Sequence, residues 1–211
     1  MNTARVATAV SLSLIVGWAL VLRTIGTADV YSVLGPYASA CVVVSLGLRR
    51  SLARTSQDKP DRQFWRHLGL GLGLGVAMTA ATYLFYALAE SLVPTLRGQV
   101  AQLYAAANVD RVSVAIAWTV VAIIAEELLF RGLFFEGLCS VGLSRGAAGV
   151  IVLVAYVLVQ IGSGSGVIAL AAFVFGSFWT LERVLTKSLT APLVSHFIWT
   201  MVVIHLYPLV R

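Results

Sequence analysis

The feature that most constrains this chain is its division into apolar blocks of about 20 residues, the length that crosses a bilayer as a helix. Hydrophobic residues make up 59% of the sequence and charged residues 11%. Because hydrocarbon offers the backbone no hydrogen-bond partner, blocks of this length must be helical. The sequence therefore predicts an all-α, polytopic transmembrane helical bundle.

The hydrophobic pattern predicts about seven spans, at residues 6–22, 30–48, 67–93, 112–139, 146–161, 166–186 and 190–208. The longest gaps, 49–66 and 94–111, are too short for a soluble domain. We expect a single integral membrane domain over 1–211. Within it, 1–111 is expected to hold additional N-terminal spans and a basic loop, and the resemblance described below places the core of the domain at 112–205.

The net charge of +6 arises from basic residues at the ends of the apolar blocks, not from one basic stripe. This arrangement favours lipid headgroups as partners and argues against nucleic acid. The N-terminus, the 49–66 loop, Arg145 and the 183–187 region fall on one side, which holds 10 of the 15 Lys and Arg residues. Basic loops resist translocation, so we expect a cytoplasmic N-terminus. The expected location is a multi-pass position in a prokaryotic inner or plasma membrane.

The run LGLGLGLG at 68–75 places Gly71 and Gly75 four residues apart within the third span. Small residues at this spacing allow two membrane helices to approach closely. The run lacks the strand that precedes a nucleotide-binding glycine loop, so we expect it to serve helix packing.

Three charged residues lie inside the fourth span, in the run AEELLFRG: Glu126, Glu127 and Arg131. Each charge at membrane depth costs about 2.5–3.5 kcal/mol on insertion scales, so the three are expected to be paired, hydrated or functional. Glu127 and Arg131 are four residues apart, in the favourable order for an ion pair. Glu126 projects about 100° away, toward another helix, and is suited to act as a general base.

Polar partners for Glu126 are expected from two later spans. His196 and Thr200 lie one turn apart in SLTAPLVSHFIWT, and Tyr156 and Gln160 lie one turn apart in the span at 146–161. We expect these groups to meet Glu126 at one depth. His205, nine residues after His196, is expected on the opposite helical face.

The remaining membrane carboxylates fall toward the ends of spans, where they can reach headgroups or water. They are Glu90, Glu136 and Glu182. We expect none of them to take a direct part in chemistry.

These motifs, in this order, resemble the CAAX protease and bacteriocin-processing family of glutamate-type intramembrane proteases, also called the Abi or type II CAAX prenyl endopeptidase family. The resemblance covers roughly 112–205. The motif EExxxR is intact as Glu126, Glu127 and Arg131. The second motif, an aromatic residue followed four positions later by histidine, falls on Tyr156 and Gln160. The third, HxxxN or HxxxD, falls on His196 and Thr200, so two family side chains are replaced.

The resemblance implies an endopeptidase in which Glu126 and the residue at position 160 activate a water, while His196 and Thr200 stabilise the oxyanion. Gln160 can orient a water but cannot carry a proton. The resemblance implies no cofactor, and the sequence has no HExxH or other zinc-binding spacing. The expected partner is a membrane-associated or exported polypeptide, which includes substrates with a lipidated or sorted C-terminus.

Three other functions remain open at this point. One is a small transporter, since buried acids can mark ion paths, although the sequence shows no paired halves or repeated broken helices. A relative that has lost catalysis could keep the cavity and bind a membrane peptide or a partner protein, as the replacements at Gln160 and Thr200 suggest. A rhomboid-like serine protease would use Ser163 or Ser165 in the run GSGSG, although that run is more typical of a tight turn between two spans.

Overall fold

The computed structural model describes residues 3–24, 30–53, 63–107 and 112–210, and within these ranges the regular structure is helical, without a strand. The helices are α1 (Thr3–Leu22), α2 (Val30–Ala53), α3 (Phe64–Leu92), α4 (Leu96–Ala107), α5 (Val112–Glu126), α6 (Phe135–Ser140), α7 (Arg145–Ile161), α8 (Gly166–Thr186) and α9 (Thr190–Thr200). A π-helical segment, Glu127–Phe134, joins α5 to α6, and a second, Met201–Leu206, extends α9.

Within the described residues, five helical stretches are long and apolar enough to cross a membrane: Thr3–Leu22, Tyr31–Ser51, Phe64–Leu92, Ser113–Ser140 and Gly166–Thr186. Two shorter apolar helices, Arg145–Ile161 and Thr190–Leu206, occupy the remaining predicted positions. The predicted fold class, an all-α polytopic bundle, is therefore confirmed, and the chain is a multi-pass integral membrane protein. The prediction missed α4, which was taken as part of a connection, and most of the 49–66 loop lies outside the described residues.

The helix α1 packs on the bundle through residues that recur every three or four positions, the period of one helical face. Its buried residues are Ala4, Ala7, Ser11, Ile15, Trp18, Val21 and Leu22. Tyr37 of α2 donates a hydrogen bond across to the Leu14 carbonyl at 2.7 Å. The helices α1 and α2 both pack against the Glu127–Phe134 segment, so they support the helix that carries the charged motif.

Close packing between α3 and α9 depends on the glycines predicted for this purpose. A Cβ atom at Gly71 would lie 2.7 Å from the Ala191 carbonyl oxygen, and one at Gly75 would lie 2.9 Å from Ile198 Cβ. A Cβ at Gly73 would meet nothing within 4 Å, so the contact involves one face of the glycine run. The predicted role of Gly71 and Gly75 in helix packing is confirmed.

The helices α7 and α8 form a hairpin whose ends are fixed by their sequences. Ser144 caps α7 by accepting a hydrogen bond from the Ala147 N–H at 3.2 Å, and Ser165 caps α8 by accepting one from the Ile168 N–H at 3.3 Å. The α8 helix ends at Lys187, whose φ of 59° is left-handed. The short GSGSG turn thus holds α7 and α8 side by side, as the sequence predicted.

Candidate active site

The backbone that carries the charged motif is a π-helical segment. From Glu127 to Phe134 the helix widens to i→i+5 hydrogen bonds, an arrangement that is frequent at functional sites. The Arg131 carbonyl accepts a hydrogen bond from Nε of Arg183 at 2.8 Å, which joins this segment to α8. The motif is therefore anchored to a second helix through its own backbone.

Arg131 is fully buried and is held by four groups. Nη1 donates to Oε1 of Glu127 at 3.1 Å, Nη2 donates to the Gly176 carbonyl at 3.3 Å, and Nε donates to Oγ1 of Thr180 at 3.4 Å. The guanidinium also lies 4.3 Å from the centre of the Tyr156 ring. The predicted Glu127–Arg131 ion pair is confirmed.

Glu126 points away from that ion pair, toward α7. Tyr156 donates its hydroxyl to Oε2 of Glu126 at 2.9 Å, and Gln160 donates from Nε2 to Oε1 at 3.1 Å. The Glu126 side chain is 13% exposed, whereas the Glu127 side chain is 1% exposed. Of the two adjacent carboxylates, Glu126 thus has the more exposed side chain.

His196 brings α9 to both carboxylates. Its Nδ1 lies 2.9 Å from Oε1 of Glu127, and its ring stacks on Trp179 with centroids 3.7 Å apart. An ionised carboxylate can only accept hydrogen bonds, so Nδ1 carries the proton in this contact. The second nitrogen, Nε2, then faces Glu126 at 3.9 Å from Oε2.

Thr200 lies one turn beyond His196, as predicted, and its Oγ1 is buried. Among the described residues it has no hydrogen-bond partner, and neither does Oε2 of Glu127. A buried hydroxyl without a partner is rare and costs about 1–3 kcal/mol. The Thr200 hydroxyl is therefore free to donate to another molecule.

His205 does not lie on the opposite face of its helix from His196, so that expectation was wrong. Its Nε2 is 3.0 Å from Oγ1 of Thr119, which belongs to α5, the helix that ends at Glu126. The physical reason is the π-helical segment Met201–Leu206, because each wide turn holds an extra residue and rotates later residues backward.

The remaining carboxylates differ in their surroundings. Glu90 pairs at 3.0 Å with the exposed Arg97, and Glu136 pairs with Arg183 at 2.9 Å and with Arg49 at 2.8 Å. Glu182 is buried, with 4% of its surface exposed, and accepts the hydroxyl of Ser195 at 2.9 Å. The expectation that Glu182 reaches headgroups or water was therefore wrong, because α8 turns this position toward α9.

The serine residues of the GSGSG run are engaged in the turn itself. Ser163 donates its hydroxyl to the Gln160 carbonyl at 2.7 Å, and Ser165 caps α8. The histidine of α9 contacts Glu127 and not these hydroxyls. This geometry does not favour the serine protease alternative.

Sequence reasoning missed the part of α8 that supports the site. Trp179 stacks on His196, and a Cβ atom at Gly176 would lie 2.9 Å from Cδ1 of Tyr156 and 3.4 Å from Nη2 of Arg131. Gly176 therefore permits the close approach of α7 and of the arginine. The polar spacing of Thr180 and Arg183 within an apolar span was a signal that could have identified this face.

Part of the sequence is similar to a known protein family. Residues 108–202 match the family model described as type II CAAX prenyl endopeptidase Rce1-like. The chain is similar to this family over that region. The matched region includes all six predicted site residues: Glu126, Glu127, Arg131, Gln160, His196 and Thr200.

No curated protein and no solved structure matches the chain. Within the described ranges, no group of three His, Cys, Asp or Glu side chains is arranged to hold a metal ion. The family match supports a CAAX-type intramembrane protease, and the roles of single residues are proposals.

Proposed function

We propose that this chain is a glutamate-type intramembrane endopeptidase that hydrolyses a peptide bond of a membrane-associated or exported polypeptide. One observation carries the proposal. The accessible carboxylate of Glu126, fixed by Tyr156 and Gln160, faces Nε2 of His196 at 3.9 Å. This distance is too long for a direct hydrogen bond and suits a single water that contacts both groups.

In the proposed reaction, Glu126 takes a proton from this water while the water oxygen attacks the carbonyl carbon of the substrate. The developing oxyanion accepts hydrogen bonds from the protonated Nε2 of His196 and from the Thr200 hydroxyl. When the carbon–nitrogen bond breaks, Glu126 returns its proton to the leaving amine. These protein groups supply the base, the acid and the oxyanion donors without a metal ion.

Two further side chains serve as positioning residues. Glu127 holds Nδ1 of His196 at 2.9 Å, which fixes the orientation of the ring. Arg131 holds Glu127 in turn, and Gln160 fixes the Glu126 carboxylate through its amide. Because Gln160 cannot carry a proton, proton transfer in this reaction depends on Glu126.

The proposal is tested by comparing the membrane proteomes of cells that carry the wild type and the Glu126→Ala variant. We expect at least one cleaved terminus to disappear in the variant, with the uncleaved precursor accumulating. Glu90→Ala is the matched control, because it also removes a glutamate, but one that belongs to an exposed ion pair. We expect this variant to leave the termini unchanged. Identical termini in the wild type and Glu126→Ala would contradict the proposal.

A second candidate function is a non-catalytic relative that binds a membrane peptide, and the contact between Gln160 and Glu126 favours it. An amide occupies Oε1 of the proposed base, where the family motif has a histidine. Loss of acid–base assistance costs about 10²–10⁴ in rate. A protein with this replacement could retain binding without turnover.

The double variant Gln160→His with Thr200→Asn separates the two functions. If the chain is an enzyme, we expect the native protein to cleave its substrate. The restored histidine should then raise kcat/KM by a factor of at most about 10⁴. If the chain is a binding protein, the native form binds the peptide without cleaving it, and cleavage appears only in the variant. Peptide cleavage by both purified proteins in liposomes is the measurement.

A further inference from the structure

The site lies close to one end of α7 and far from the other. Gln160, which contacts Glu126, is the penultimate residue of α7, and the 162–165 turn follows directly. At a rise of 1.5 Å per residue, Gln160 lies about 22 Å from Arg145 at the other end of the helix. Glu126 is therefore within about one turn of the α7–α8 connection.

Other helices continue beyond this level. Val112 begins α5 fourteen residues before Glu126, which extends that helix about 20 Å further in the same direction. Beside it, α9 and its extension continue to Leu206, with His205 contacting Thr119. In contrast, α1 ends at Leu22, and its Ala19 carbonyl lies 3.2 Å from the position of a Cβ at Gly162. Among the described residues, the end of α1 and the α7–α8 turn thus form a step beside the taller α5 and α9.

The opposite end of the site is closed. The residues that follow Arg131 in the same helix, Leu133, Phe134 and Phe135, are buried in the bundle. Below them, Glu136 is held by Arg49 at 2.8 Å and by Arg183 at 2.9 Å, and Arg145 donates to the Arg183 carbonyl at 3.0 Å. We call these buried side chains and ion pairs the plug. The Glu126 side chain, which is 13% exposed, lies on the other side of the plug, beside a turn in which Gly164 is exposed.

The plugged end is also the basic end of the chain. Arg49, Arg145 and Arg183 meet there, on the side that holds 10 of the 15 Lys and Arg residues in the sequence. Positively charged ends of membrane bundles stay in the cytoplasm. The step beside the 162–165 turn then faces the exterior.

We propose that substrate reaches Glu126 from the extracytoplasmic side, over the step at the α7–α8 turn, and that it is an exported or externally exposed polypeptide segment. This inference rests on the proposed protease function and narrows its substrate class. A lipidated C-terminus made in the cytoplasm would approach from the plugged, basic end.

Side-specific labelling of single cysteines tests this proposal. Cys41 and Cys139 are first replaced by alanine, and then Gly166→Cys and Gly146→Cys are introduced separately. These two exposed glycines are matched, since a Cβ at either position meets nothing within 4 Å, and they lie at opposite ends of the α7–α8 hairpin. With a membrane-impermeant maleimide, we expect Gly166→Cys to react in intact spheroplasts and Gly146→Cys to react only in inside-out vesicles.

The access route is tested with Gln160→Cys, whose side chain replaces a group that contacts Glu126. We expect it to react from the same side as Gly166→Cys, whereas Phe197→Cys, which faces lipid on α9, should stay unlabelled from both sides. Ser163→Cys, in the turn itself, provides the same readout if the first variant does not fold. Reaction from the Gly146 side alone, or from neither side in protein that reacts after denaturation, would overturn the proposal.

The labelling does not require turnover, so the two proposals can fail separately. If the protein is inactive but its Gln160→Cys variant reacts from outside, the access route is supported and the protease function is contradicted. If the protein cleaves peptides but the cysteine at position 160 reacts only from the cytoplasm, the protease function is supported. The proposal of an extracytoplasmic substrate is then contradicted.

Discussion

Purified Glu126→Gln is expected to lose about 10²–10⁴ of its kcat on the peptide that the wild type cleaves, with little change in KM. An amide has the shape of the carboxylate and cannot accept the proton of the attacking water. The fold should persist, because the Gln160 amide can rotate by 180° and present its oxygen to the new N–H groups. The loss should therefore appear in the chemical step and not in binding.

Glu90→Gln is the control for this prediction. The Glu90 carboxylate pairs with an arginine whose side chain is 62% exposed, and such surface pairs contribute about 0–1 kcal/mol. We expect its kcat and KM to match those of the wild type. Equal kcat values for Glu126→Gln and the wild type, in protein that remains monodisperse, would show that Glu126 is not the base.

The parts of the site that sequence could predict are those governed by helical spacing. Glu127 and Arg131 are four residues apart, and they pair although the helix between them is π-helical, because both side chains are long enough to accommodate the wider turn. Glu126 comes one residue earlier, so helical spacing turns its side chain away from Glu127 and toward α7. A motif that is confined to one helix can thus be interpreted from its spacing alone.

Features that depend on contacts between distant helices could not be predicted in this way. The stacking of Trp179 on His196 joins α8 to α9, and nothing in either segment alone specifies it. Glu182 was misplaced because its burial is set by Ser195 across the helix interface. The position of His205 was wrong because a π-helical turn changes the angular count, and no residue in Met201–Leu206 signals such a turn.

The second large effect is expected from Arg131→Met, which should destabilise the folded protein by about 3–5 kcal/mol. Arg131 is fully buried, and its loss leaves the Glu127 carboxylate in the bundle with His196 as its remaining partner. A buried charge that has lost its partner costs far more than the pair contributed, since the desolvation penalty persists. Arg131→Lys should be intermediate, because an ammonium cannot reach Glu127, Gly176 and Thr180 together.

The physical cause is tested by the double variant Arg131→Met with Glu127→Gln. If the destabilisation comes from the unpaired charge, removing that charge should recover part of the loss, so the double variant is more stable than the sum of the single changes predicts. The measurement is the free energy of unfolding in detergent for each single variant and for the double variant. Arg97→Met, which removes an exposed ion pair, is the control. Additive losses would instead indicate that Arg131 acts through its packing on Tyr156, and the ion pair would then be a minor part of its role.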